Sequence, residues 1–427
     1  MVKVVVLGAG AMGLAAAHRA AVLGHDVDLV EADRVAGGMA AHFDFGGLSI
    51  ERFYHFLCRS DEPTFALMRE LGIADRIRWA PASMGYYTGG GLHPWGGAVS
   101  LLRFPALSFI DKLRTGLQMF QATRAASFDP IEHLTAREWL ERGSGKAAYH
   151  VLWERLMELK FHEFADQVSA SWMATRVRRM GRSRGAGGGT ELGYIEGGSQ
   201  ALVDALVQAF TRLGGRLHLA TGARRVQVSA GKVTGVETAQ GVIAADAVVS
   251  TVPAPLVPLL VPDLPEDHKQ RYAAIRNIGV ACIVLKLKRP VSPHFWVNVA
   301  EAGIDIPGFI EFSNLRPMGV PIVYVPYYMP TAHPKWQWPD SELIAEAYGA
   351  LRRVNPSLKE TDLIAGQASR LRYAQPICEP GFRDRLPPIR TPVGGFMAAD
   401  TCFYYPEDRG IAESVRYGRM MAEMIGR

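Results

Sequence analysis

Gly8, Gly10, Gly13 and Glu31 are the residues whose types and spacing most directly specify chemistry. The segment Gly8-Ala-Gly10-Ala-Met-Gly13 follows a β-branched run at 2–7 and opens an Ala- and Leu-rich stretch that stops at Gly24. Glycine at position 8 permits a tight turn, at position 10 it lets a pyrophosphate approach the backbone, and at position 13 it lets helix and strand pack closely. The amides of the helix start, at Ala11 and Met12, and the helix dipole favour an anion there. Glu31 closes a second strand, 26–30, eighteen residues past Gly13. A carboxylate so placed accepts hydrogen bonds from an adenosine ribose, with Ala32 beside it. A lone glycine motif is weak, but strand, helix and acid together specify a βαβ unit that binds a dinucleotide.

The elements that must hold these residues belong to a chain of 427 residues, long enough for two or three interleaved domains. It is 48% hydrophobic and 21% charged, which excludes a disordered solvating chain. A net charge of +5 is too little over this length to argue nucleic-acid binding. Cys58, Cys282, Cys378 and Cys402 form no C-x-x-C pair, so no zinc site, other metal or disulfide framework is signalled, and a reducing, cytoplasmic compartment is expected. The start reads as a strand and not as a signal peptide, and no apolar run reaches the ~18 to 20 residues of a spanning helix.

Region 63–190 reads as a helical insertion, with helices at 64–71, 108–124 and 136–142 and a glycine-rich breaker at 182–189. Gly197-Gly198-Ser199-Gln200 opens a helix at 201–213. Short Val-rich strands over 216–251 read as an antiparallel meander, and 253–265 as a linker. Region 276–373 mixes strands at 280–287 and 322–327 with a helix at 341–353 and is dense in aromatics. A buried strand at 394–399 and a helix at 411–425 return to the first theme.

Several of these segments together resemble the flavin amine oxidase, protoporphyrinogen oxidase and phytoene desaturase superfamily, whose architecture UDP-galactopyranose mutase shares. They are Glu31-Ala-Asp-Arg-Val-Ala-Gly37-Gly38, the paired glycines at 197–198, Asp246-Ala-Val-Val-Ser-Thr-Val-Pro253 and Gly394-Gly-Phe-Met-Ala-Ala399-Asp400. The resemblance implies an α/β fold: a Rossmann-type FAD-binding domain (1–62, 191–255 and 391–427), a helical insertion (63–190) and a mixed α+β substrate domain (256–390). It implies FAD as cofactor. Gly37 and Gly38 would pass the pyrophosphate, with Met39 where the family commonly has Arg, and the Ala223 backbone would clamp adenine. Asp400 would hold the ribityl chain, although Ala399 replaces the usual glycine before it. The Ile411 and Ala412 amides would face the flavin pyrimidine, where charge grows on reduction.

The same resemblance places His55, in Glu51-Arg52-Phe53-Tyr54-His55, beside the flavin; a structural histidine is the equal alternative. The strand Ala281-Cys-Ile-Val-Leu-Lys286 has no Lys at its start, where the family's amine oxidases carry one, and Lys286 reads as a solvated strand end. That counts against ordinary amine oxidation. Tyr404 and Tyr405 are expected to wall the substrate side of the ring. Arg176, Arg178, Arg179, Arg182 and Arg184 read first as a solvated loop, and alternatively as a site for phosphate or anionic lipid headgroups. The apolar stretch 95–120 suits a core helix, a tunnel wall or a membrane surface. No G-x-S-x-G, H-E-x-x-H or P-loop pattern occurs. The expected function is FAD-dependent oxidation or desaturation of a bulky, largely apolar small molecule of isoprenoid or tetrapyrrole type, with hydride or electrons passing to flavin N5. The alternative is a redox-neutral flavoenzyme resembling UDP-galactopyranose mutase and acting on a sugar nucleotide. Partners are expected to be that small molecule and peripherally a membrane.

Overall fold

The computed structural model describes residues 1–183 and 189–426. A five-stranded parallel sheet holds the N-terminal half of the site, in the order Phe396–Ala398, Ala247–Ser250, Lys3–Leu7, Asp26–Val30, Arg216–His218. Val4 to Leu7 are all buried, as a central strand covered on both faces requires. Helix Ala11–Val22 makes the crossover and packs beneath helices Ser199–Arg212 and Ile411–Glu423. The last contact is close because position 418 is glycine, whose added Cβ would lie 2.2 Å from the Met12 carbonyl oxygen.

The antiparallel meander is smaller than its sequence suggests and comprises Ala223–Ser229, Lys232–Thr238 and Gly241–Ala244. Arg216–His218 and Ala247–Ser250 leave it for the parallel sheet. The burial patterns explain the difference: Ala247 to Ser250 are buried throughout, whereas Lys232–Thr238 alternates largely between exposed and buried positions. Within the expected linker, Val257–Leu260 forms a short helix.

A seven-stranded mixed sheet forms the second half, ordered Leu363–Pro376, Asn277–Leu287, Ile322–Met329, Gly308–Glu311, Trp296–Val299, Met84–Thr88, Gly91–Trp95. Its second strand, Asn277–Leu287, sorts residues with period two. Ala281, Ile283 and Leu285 pack under helix Asp340–Val354, while Val280, Cys282 and Val284 face the other way. The span 63–190 is not wholly helical. Its hairpin Met84–Thr88/Gly91–Trp95 extends this sheet through a parallel pairing with Trp296–Val299, and Ile77–Pro81 pairs with Glu191–Ile195. The helices Glu62–Glu70, Phe109–Arg124, Ala136–Ser144 and Ala170–Arg182 surround these strands. No helix among the described residues is long and apolar enough to cross a membrane.

Candidate functional site

A cavity of about 1850 Å³ runs between the two sheets. At one end its wall is Gly8, Gly10, Ala11, Met12, Glu31, Ala32, Gly37, Gly38, Met39 and Ala223; at the other it is Tyr54, His55, Trp296, Tyr328, Asp400, Tyr404 and Ile411. Nearly all the residues expected to hold a dinucleotide therefore meet on one surface. Gly13 and Ala412 do not reach it. Gly13 acts one layer behind, since a Cβ there would fall 1.7 Å from the Gly8 carbonyl oxygen and drive the helix off the strand.

The geometry of the first end suits a pyrophosphate. A Cβ on Gly10 would meet no protein atom within 4 Å and would project into open space. Helix Ala11–Val22 begins on Gly10 with no side-chain cap and no acid in its first turn, so its leading amides have no internal competitor. Gly37 takes a φ of 115° and its amide donates to the Ala9 carbonyl at 2.8 Å, which lays the second glycine pair against the first loop. The Glu31 carboxylate accepts from the Ala9 amide at 2.6 Å and the Asp33 amide at 2.8 Å, tying loop to strand end.

At the far end, helix Ile411–Glu423 likewise begins on a glycine, Gly410, without a side-chain cap. Asp400 is buried and accepts from the Ala254 amide at 2.7 Å and the Cys402 amide at 2.9 Å; burial raises its pKa. These uncapped amides, the open glycine face and the cavity's span fit FAD. Gly10, Ala11, Met39 and Gly38 would hold its pyrophosphate, Glu31 and Ala223 its adenosine, and Asp400 and Ile411 the ribityl and pyrimidine end.

His55 lines the cavity, and its Nδ1 is buried without a partner among the described residues. Burial pushes its pKa below that of a free histidine, against the opposing charge of Glu51, so the imidazole is neutral at neutral pH. Tyr404 also lines the cavity, with its hydroxyl 2.8 Å from that of Ser414. Tyr405 corrects the expectation: it is turned away, donating to Glu132 at 2.7 Å and meeting Ser169 at 2.7 Å. Its hydroxyl is satisfied by these two residues of the insertion and so is held away from the cavity.

The arginine cluster is not a solvated loop. Arg176, Arg178 and Arg179 lie on helix Ala170–Arg182 and pair with Asp408, Glu407 (2.7 Å) and Asp61 (3.0 Å), while Arg182 donates to the Thr123 carbonyl at 3.2 Å. Arg184 lies outside the described residues. Lys286 sits apart from the cavity, 3.5 Å from the Phe45 carbonyl.

Sequence reasoning passed over Lys160, Trp172, Tyr328 and Arg409, all on the cavity wall. One signal was available. In helix Arg155–Phe161, Lys160 falls on the same stripe as Leu156 and Met157, and a lysine in the middle of an apolar stripe needs a reason.

A model of the flavin containing amine oxidoreductase family matches residues 13–406. A protein named as a flavin-containing monoamine oxidase in Mycobacterium tuberculosis is 26% identical over 289 residues, covering 63% of this chain and 61% of that one. The chain thus spans about three fifths of the length of that curated relative. A structure named as a protoporphyrinogen oxidase from Exiguobacterium sp. 255-15 is similar at a TM-score of 0.77 and 20% identity, covering 99% of this chain and 98% of the other. Reduced UDP-galactopyranose mutase is similar at 0.76 and 16%, covering 100% and 94%. At these identities the solved structures show a shared fold, and the family match over most of the chain shows the rest: the protein belongs to the flavin-containing amine oxidoreductases, a family that binds FAD.

Proposed function

We propose that this protein is an FAD-dependent oxidoreductase that oxidises or desaturates a bulky, largely apolar small molecule. The observation that carries this reading is the cavity's outer end. Leu102, Leu113, Leu117 and Phe120 line the cavity and are also more than half exposed, at 52, 53, 58 and 55%. Phe109 and Ile110 continue the same surface at 67 and 68%. A contiguous exposed apolar face marks a contact surface, and here it is continuous with the mouth of the cavity.

Bound FAD would supply the electron acceptor for a C–H bond next to a double bond or heteroatom. The chain's own residues do the rest. Tyr54 packs edge-on to Trp296 at 5.6 Å between ring centroids and to Tyr324 at 5.8 Å, so it forms a rigid aromatic wall against which an unsaturated substrate can lie. The aromatic and aliphatic lining excludes water, and each methylene buried there contributes about 0.8 kcal/mol to binding. His55, neutral and with an Nδ1 that has no partner among the described residues, is the one imidazole on this wall and can accept a proton without first losing one.

The purified protein should be yellow. An anaerobic panel of polyprenyl, carotenoid, porphyrinogen, amine and sugar-nucleotide compounds should bleach the flavin band with the apolar members, and H55A should slow that bleaching without loss of flavin. Selective bleaching by small polar amines would overturn the substrate class. Turnover of a sugar nucleotide without net redox change, after priming with dithionite, would favour the redox-neutral reading.

The apolar face also predicts membrane contact. The exposed residues Phe109, Ile110, Leu113, Leu117 and Phe120 recur at helical spacing on Phe109–Arg124, with Lys112 and Arg114 beside them. The holoprotein should float with anionic vesicles, and a Leu113→Asp/Leu117→Asp variant should remain in the dense fraction. Equal flotation of both would remove the membrane from this reading.

A further inference from the structure

We infer that Lys160 and Arg409 form a receptor for an oxyanion, a carboxylate or a phosphate, carried by the substrate into the cavity. The inference rests on the cavity being the substrate pocket and deepens that reading: the substrate would be an amphipathic acid, not a neutral hydrocarbon.

Four cations and two carboxylates gather on this part of the wall: Lys160, Arg176, Arg179 and Arg409 with Asp61 and Asp408. Arg176 pairs with Asp408 and Arg179 with Asp61, leaving two cations over. Lys160 has no hydrogen bond or ion pair among the described residues. Its ammonium is instead ringed by Tyr328 at 4.9 Å, Trp172 at 5.1 Å and Phe161 at 5.5 Å. Among the described residues Arg409 finds only neutral acceptors, the Ala374 carbonyl and the Tyr328 hydroxyl at 3.3 Å, and its buried Nε has none. The two surplus cations therefore flank one phenol ring.

An unpaired charge away from water is costly, and two of like sign in one cavity cost more. Asp408 is one carboxylate among three basic neighbours: its Oδ2 is held by Arg176 and its Oδ1 is buried with no hydrogen-bond partner among the described residues; although burial raises its pKa, Arg176, Lys160 and Arg409 keep it down at about 2, so it stays ionised. What the site lacks is a further anion. Guanidinium and ammonium groups on one cavity wall, either side of one ring, match the several acceptor oxygens of a carboxylate or phosphate. The apolar remainder of such a molecule would extend towards Leu113, Leu117 and Phe120. Burial, then Arg176 and Arg409, push the Lys160 ammonium's pKa well down. An anion beside it acts in the opposite sense and favours the ammonium form.

Calorimetric titration of the FAD-loaded protein with dodecanoate, dodecyl phosphate, dodecanol and dodecylamine tests this. At least one of the two oxyanions should bind at least about thirtyfold more tightly than dodecanol. Comparison of the two oxyanions decides between carboxylate and phosphate. K160M and R409Q should each weaken oxyanion binding by a similar factor at unchanged flavin content. Since K160M removes an unpaired charge, its ligand-free holoprotein should melt no lower than the parent, so misfolding cannot account for the loss. Equal affinity for the four probes, no binding of either oxyanion, parental oxyanion affinity in both variants, or flavin loss in both would overturn the assignment. Flavin content is measured separately, so a yellow protein indifferent to oxyanions sinks only this inference, whereas a colourless protein that binds them sinks the oxidoreductase reading.

Discussion

Replacing Gly13 by alanine is expected to abolish FAD binding and to destabilise the fold, whereas replacing Gly10 by alanine is expected to abolish binding alone. The two glycines share a motif but not a surrounding. A Cβ at position 13 would lie 1.7 Å from the Gly8 carbonyl oxygen and 2.9 Å from its carbon, and both are backbone atoms that no rotamer change can move. The helix must then separate from the strand, at a cost of at least about 1–3 kcal/mol for an overpacked core position. Position 10 has φ of −70° and nothing of the protein within 4 Å, so alanine folds there without strain and its methyl group occupies ligand space. Melting curves and the ratio of flavin to protein absorbance separate the outcomes. A G13A protein that melts with the parent and keeps its flavin would refute the packing role.

Asp400→Ala should be comparably severe by a different route. Its carboxylate accepts two amides, from Ala254 and Cys402, and so joins the end of the edge strand Phe396–Ala398 to the chain leaving Ala247–Ser250. Alanine leaves both donors buried without acceptors, at about 1–3 kcal/mol each. It also removes the proposed ribityl contact, so lower stability and loss of flavin should appear together. Asp400→Asn keeps one acceptor and should fall between the two. If D400A is as stable as the parent, water reaches these amides and the acid is not structural; if D400A retains full flavin, its proposed role in the site is wrong.

Sequence by itself determined the parts whose requirement is local. Gly8, Gly10 and Gly13, the strand before them and Glu31 after them are dictated by backbone conformation and close approach within one βαβ unit, and they meet on one wall of the cavity or directly behind it. The helix start after Gly10 was legible for the same reason, whereas the role of the helix start at Ile411 was expected from the family resemblance. Tertiary structure alone decided what depends on a partner distant in the chain. Strand Ala247–Ser250 joins the parallel sheet because its neighbours there bury both faces, and Arg216–His218 joins as its edge by pairing with Asp28, Leu29 and Val30; short runs do not announce either choice. Hairpin Met84–Trp95 joins the second sheet only because Trp296–Val299 presents a free edge. Adjacent tyrosines part company, Tyr404 to the cavity and Tyr405 to Glu132, since a buried hydroxyl goes where an acceptor is. Lys160 and Arg409 meet over Tyr328 from three elements far apart in the chain, and an excess of buried charge exists only once the fold has brought its members together and removed the water between them.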